Sequence, residues 1–153
     1  MQDSNPSMSP KLDKATMDGD DDPCEQAALF RTAVCTLLCV SKRQPEIQST
    51  VRWLCKRLKN PTKKAWRQLV KLARYMKGSR NLATFFPTEG QVTHIAGYVD
   101  GDWACDDADR KSVSGGLIMV AGCRMHSHSR GTSDHALSSG ESEIMSELMK
   151  DCL

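Results

Sequence analysis

The hydrophobic pattern changes period near residue 90, from 3.6 before it to 2 after it, so the chain must build a helical unit and then a separate strand unit. In residues 25–43, Phe30, Val34, Leu37 and Leu38 recur at helical spacing, and Gln44-Pro45-Glu46 breaks that helix. Ile47, Val51, Leu54 and Leu58 form the stripe of a second helix, which Asn60-Pro61 ends. Thr62 then caps a third, carrying Trp66, Leu69, Val70, Ala73 and Met76, with Gly78 as its stop. Beyond the change, residues 92–100 read as a strand rich in Val, Ile, Thr and Tyr. Residues 117–121 are a second strand, Gly122-Cys123 a turn and residues 124–129 a returning strand, together a small antiparallel meander. Ser138-Ser139-Gly140-Glu141 fits a capping box, opening a last helix whose inward face is Ile144, Met145, Leu148 and Met149. The fold class expected is α+β.

Composition limits what this plan can bury. At 153 residues the chain is one ordinary domain or two small pieces, and with aromatics at 5% the core must come from Leu, Val, Ile and Met. Trp53 and Trp66 are expected to pack the helices together. The seven cysteines include no C-x-x-C pair and read as reduced, mostly buried thiols. No run approaches the length needed to cross a bilayer, and the first 25 residues are acidic and polar rather than signal-like. An intracellular protein is expected, cytoplasmic or nuclear alike, with no membrane partner.

Charge is sharply segregated. Residues 1–25 hold seven acids, Asp3, Asp13, Asp18, Asp20, Asp21, Asp22 and Glu25, against Lys11 and Lys14, and residues 1–24 read as a disordered acidic leader. Residues 47–88 contain no acid, while Arg52, Lys56, Arg57, Lys59, Lys63, Lys64, Arg67, Lys71, Arg74, Lys77 and Arg80 supply eleven cations. Ordinary exposed helices mix signs to gain i,i+4 pairs, so a helical pair that omits acids tolerates repulsion in exchange for a polyanionic partner.

Three strings together carry a resemblance. Tyr98-Val99-Asp100-Gly101-Asp102-Trp103-Ala104, then Asp109-Arg110-Lys111-Ser112-Val113-Ser114-Gly115-Gly116, then Ala136-Leu137-Ser138-Ser139-Gly140-Glu141-Ser142-Glu143 resemble, in order and spacing, the ribonuclease H domain of copia-type retrotransposon Pol polyproteins. Phe30-Arg31-Thr32-Ala33-Val34, Asn60-Pro61-Thr62 and Leu72-Ala73-Arg74-Tyr75-Met76-Lys77-Gly78 resemble the linker that follows the reverse transcriptase there. The resemblance implies a helical connection region over residues 25–80 and a partial ribonuclease H-like mixed sheet with one capped helix over residues 91–153.

It further implies cleavage of RNA in RNA–DNA hybrids by two Mg²⁺ or Mn²⁺ ions, held by Asp100 and by Glu143, with Glu141 in reserve. The family's further acids lie downstream of the last helix. A fragment incapable of cleavage alone is therefore expected, or an inactive nucleic-acid-binding retroelement remnant, with the polyprotein's reverse transcriptase as a possible companion. Arg52, Lys56, Lys63, Lys64, Arg67 and Lys71 would track the nucleic-acid backbone, and Arg110 and Lys111 would touch phosphates from a loop. Trp103 reads as a packing residue. A separate reading makes Cys123, His126, His128 and His135 a zinc site, although nothing fixes their spacing.

Overall fold

A computed structural model describes residues 22–83, 86, 95–102, 111–131 and 138–148, and the chain divides into two compact units, Met1–Ala83 and Thr84–Leu153. The first is helical: α1 spans Ala27–Ser41, a short 3₁₀ turn Pro45–Ile47 leads into α2, Gln48–Cys55, and α3 spans Lys63–Gly78. Phe30 and Val34 on α1, Ile47, Val51, Trp53 and Leu54 around α2, and Ala65, Leu69, Leu72 and Tyr75 on α3 form one buried cluster. Trp66 packs against its edge, so both tryptophans join the helices as the sequence suggests. Leu38, expected inward, is exposed. The buried face of α1 instead continues through Leu37, Val40 and Ser41, and Leu38 points away from α2 and α3.

Side chains close the helix ends. Arg31 on α1 donates from Nε to the Leu58 carbonyl at 2.9 Å and from Nη2 to that of Lys59 at 3.3 Å, satisfying acceptors past the end of α2. Gln48 Nε2 donates to the Ser41 carbonyl at 3.0 Å, tying α2 to the end of α1. The Ala65 N–H donates to Thr62 Oγ1 at 3.2 Å, the cap expected from sequence. Gly78 is the last residue of α3 and not a left-handed stop, because the capping residue Ser79 has φ −93°.

The second unit is a three-stranded antiparallel sheet in the order β1-β2-β3, with β1 Ile95–Asp102, β2 Val113–Val120 and β3 Cys123–Gly131. α4, Ser139–Leu148, packs on β1 and β2, and the Glu141 N–H donates to Ser138 Oγ at 3.2 Å as the capping motif requires. The hairpin between β2 and β3 turns on Ala121 and Gly122, one residue earlier than expected, with φ 49° and 78°. The α+β class is as read from the sequence; the mixed sheet is not, since all strand pairs among the described residues are antiparallel. Burial here is thin: Val113, Cys123, Ser112 and Ser114 are enclosed, while Ile95, Tyr98, Met125 and Ile144 are exposed.

Leu54→Ala removes a fully enclosed side chain at the meeting of the helices. It should lower the unfolding free energy of the helical unit by about 2–5 kcal/mol, read as a lower denaturation midpoint with little change in the m-value.

Candidate functional site: the cationic face of the helical unit

Burial of Ala65, Leu69, Leu72 and Tyr75 fixes the rotation of α3. Steps of four, four and three residues then place Lys63, Arg67, Lys71 and Arg74 in one stripe on the opposite side, with Lys77 beside it. Lys63, Arg67, Arg74 and Lys77 are exposed and Lys64 and Lys71 half-buried; Lys56 stands exposed just past α2. Of the cations expected to form this surface, Arg52 departs. It is half-buried, and its Nε and Nη1 are shut from solvent with no hydrogen-bond partner, a cost of about 1–3 kcal/mol per group. Arg57 also turns inward on itself, its guanidinium 3.5 Å from the centre of the Trp53 ring.

The start of α3 already holds an anion, which sequence reasoning missed. Asp22 places Oδ2 3.0 Å from Lys63 Nζ, with side chains 47% and 60% exposed for Lys63 and Asp22 respectively. The Lys63 N–H donates to the Asp22 carbonyl at 2.9 Å, the Cys24 N–H donates to the Pro61 carbonyl at 2.9 Å, and Pro23 bridges to Thr62. The exposed ion pair contributes about 0.2–1 kcal/mol, but the main-chain bonds fix where the leader enters. A carboxylate there also meets the positive end of the α3 dipole. The signal was present in the sequence as the acid Asp22 set against Lys63, but nothing local indicates that segments so far apart meet.

The expected metal ligands stand elsewhere. Asp100 is exposed on β1 opposite Gly115, and Glu143 is exposed on α4, which packs on that strand. Glu141 is half-buried at the helix start. Among the described residues no group of three or more His, Cys, Asp or Glu side chains assembles to hold a metal. Arg110, Trp103 and His135 lie outside the described residues, and Lys111 is half-buried ahead of β2.

β3 carries a different cluster. The His128 imidazole lies directly over Gly116, where an added Cβ would come within 2.2 Å of the ring. His126 stands beside it with ring centroids 5.9 Å apart, and His128 Nδ1 is buried without a hydrogen-bond partner. Cys123 Sγ turns toward its neighbour's carbonyl, that of Ala121, at 3.9 Å. The free thiols also depart from expectation: Cys35 and Cys39 are exposed on α1, Cys24 and Cys55 half-buried, and Cys123 alone among the described cysteines buried. α1 turns Cys35 and Cys39 to its outer side.

The chain is 30% identical over 113 residues to the secreted RxLR effector protein 161 of Plasmopara viticola, covering 74% of this chain and 78% of that protein. It belongs to the same family as that effector. No family model matches the chain, and no solved structure matches it.

This kinship corrects the reading of the chain as a copia-type Pol fragment, whether ribonuclease H enzyme or inactive nucleic-acid-binding remnant: the relative is a secreted effector protein. The strings behind that reading have local physical causes. Gly116 makes room for the His128 ring, and Ser138 caps α4. The relative is named as secreted, which does not fit the intracellular expectation. No helix among the described residues is long and apolar enough to cross a membrane.

Burial holds the His128 imidazole below the ordinary histidine pKa, helped by the charge of Arg130 and by His126. The fold thus favours the neutral ring, and the unfolded chain binds the proton first as pH falls. The stability this group contributes is complete above about pH 6.5 and declines as pH drops from there through the folded value. Proton NMR titration should find His128 below that reference, and His128→Gln should flatten the acid side of the stability profile. Gly116→Val should disrupt the β2–β3 pair, seen as lost amide protection in both strands, because the ring and a side chain cannot share that space.

Proposed function

We propose that this chain is a secreted effector-type protein that works by binding, with the outer face of α3 receiving an acidic stretch of a partner protein. One observation carries the choice of ligand: the Asp22 carboxylate seated on Lys63, which is the chemistry of an acidic polypeptide. Kinship with a protein named as a secreted effector supports the export and the effector reading. The absence of any acid in residues 47–88 supports the sign of the partner, since repulsion among the cations is relieved only by charge brought from outside that segment. Electrostatic complementarity of this kind raises the association rate and makes binding strongly dependent on salt.

Fluorescence anisotropy with a labelled polyglutamate peptide tests the reading against an RNA–DNA hybrid of similar charge. The peptide should bind the full chain and weaken steeply from about 0.05 to 0.5 M salt. Lys63→Glu, Arg67→Glu and Lys71→Glu together should weaken it by about tenfold or more, the scale of a few exposed pairs. Preference for the hybrid, or indifference to the charge reversals, would rule out an acidic protein partner. Recovery of the native protein from cells and never from the medium would rule out the secreted assignment.

A further inference from the structure

We infer that Cys35 and Cys55 are a reversible redox pair. Exchange with a small-molecule disulfide of the glutathione class closes them to a bond that ties α1 to the end of α2. Two hydrogen-bonded ties set the register of these helices. Arg31 on α1 donates to the Leu58 and Lys59 carbonyls past the end of α2, and Gln48 at the start of α2 donates to the Ser41 carbonyl at the end of α1. The helices therefore run antiparallel. One turn on from Arg31 lies Cys35, and one turn back from Lys59, across the bond from the Leu58 N–H to the Cys55 carbonyl at 3.2 Å, lies Cys55. The two thiols are thus set across from each other, between the ties. Burial pushes the Cys55 thiol above its ordinary pKa, and the nearby Cys35 sulfur adds to that shift. Both thiols are free: Cys35 is exposed where the outer side of α1 borders α2, and Cys55 is half-buried against the helical core.

Exposure decides the order of events. The Cys35 thiolate, the sulfur within reach of solvent, attacks one sulfur of the donor disulfide, forming a mixed disulfide and expelling one donor thiolate. Cys55 then loses its proton to water and attacks Cys35 Sγ, closing the protein bond and expelling the second donor thiolate. Two protein thiols are oxidised, one donor disulfide is reduced to two thiols, and the two protons pass through water to the departing thiolates. Cys39 competes poorly as the partner of Cys35. Residues four apart on one helix hold their Cβ atoms about 5–6 Å apart, against about 3.5–4.5 Å across a disulfide. The bond closes the chain over residues 35–55, so it removes conformations from the unfolded state and stabilises the helical unit. That the pair closes in the organism rests on the export proposed above, which delivers it to an oxidising compartment; that it closes at all does not.

The test equilibrates the full chain with graded ratios of reduced to oxidised glutathione, quenches it with iodoacetamide, digests it without reduction and reads the peptides by mass spectrometry. A Cys35–Cys55 cross-link should dominate, form within one chain, open again as reduced glutathione is raised, and form equally in a Cys39→Ala chain. In a Cys55→Ser chain Cys35 should instead keep a glutathione adduct, because no second thiol displaces it. The cross-linked chain should unfold at a urea concentration higher by about 1 M or more than the reduced one, and a Cys35→Ser chain should show no such shift. Links chiefly from Cys35 to Cys39 or between chains, alkylation of both thiols at every ratio, or glutathione persisting on Cys35 of the unaltered chain would each overturn the inference. An unchanged urea midpoint in the cross-linked chain would overturn the tie between the helices. Every result is read on purified protein, so failure here leaves the secreted assignment untouched, and absence of the protein from the medium leaves the cysteine pair standing.

Discussion

Everything on the helical unit follows from burying one stripe of α3. Ala65, Leu69, Leu72 and Tyr75 can leave water only by facing α1 and α2, and that choice turns Lys63, Arg67, Lys71 and Arg74 outward as a set. The arrangement concentrates like charge with no acid nearby in sequence, which an isolated helix would resist. Packing of Phe30, Val34, Val51 and Leu54 overrides that resistance because apolar burial contributes more per side chain than the screened repulsion of exposed lysines and arginines costs. The cationic face is thus a consequence of the core, held open by it.

The sheet unit obeys a different constraint. Its described side chains enclose little, and its order comes from main-chain pairing along two antiparallel ladders. Small residues on β2 admit what a larger one would exclude: Gly116 accepts the His128 ring across its Cα, and positive φ at Ala121 and Gly122 lets the hairpin follow the twist of its strands. The buried, unpartnered Nδ1 of His128 makes this strand pair sensitive to mild acid.

Much of the local structure was legible. Thr62 and Ser138 cap where their residue types and positions suggested, Pro45 breaks where it must, and both tryptophans sit at the helix junction. Legibility failed where a side chain's direction depended on a distant neighbour. Leu38 belongs to the apolar stripe of α1 by spacing and is exposed, Cys35 and Cys39 are exposed where the cysteines as a set read as mostly buried, and Arg52 reads as a surface cation yet buries two nitrogens. The family resemblance failed for a related reason. Short strings of Asp, Gly and Ser satisfy turn and cap chemistry in many proteins, whereas kinship over 113 residues with a secreted effector rests on the bulk of the chain.

Sequence by itself determined the change from helix to strand near residue 90, the helix caps, and the separation of an acidic leader from an acid-free cationic block. These are properties of period, local hydrogen bonding and composition, and each is complete within a few consecutive residues. Tertiary structure decided which cations share a stripe, that Asp22 meets Lys63, and that His128 covers Gly116. Those are meetings of segments far apart in the chain, and only the burial of a common core, or the register of a sheet, brings such atoms within bonding distance.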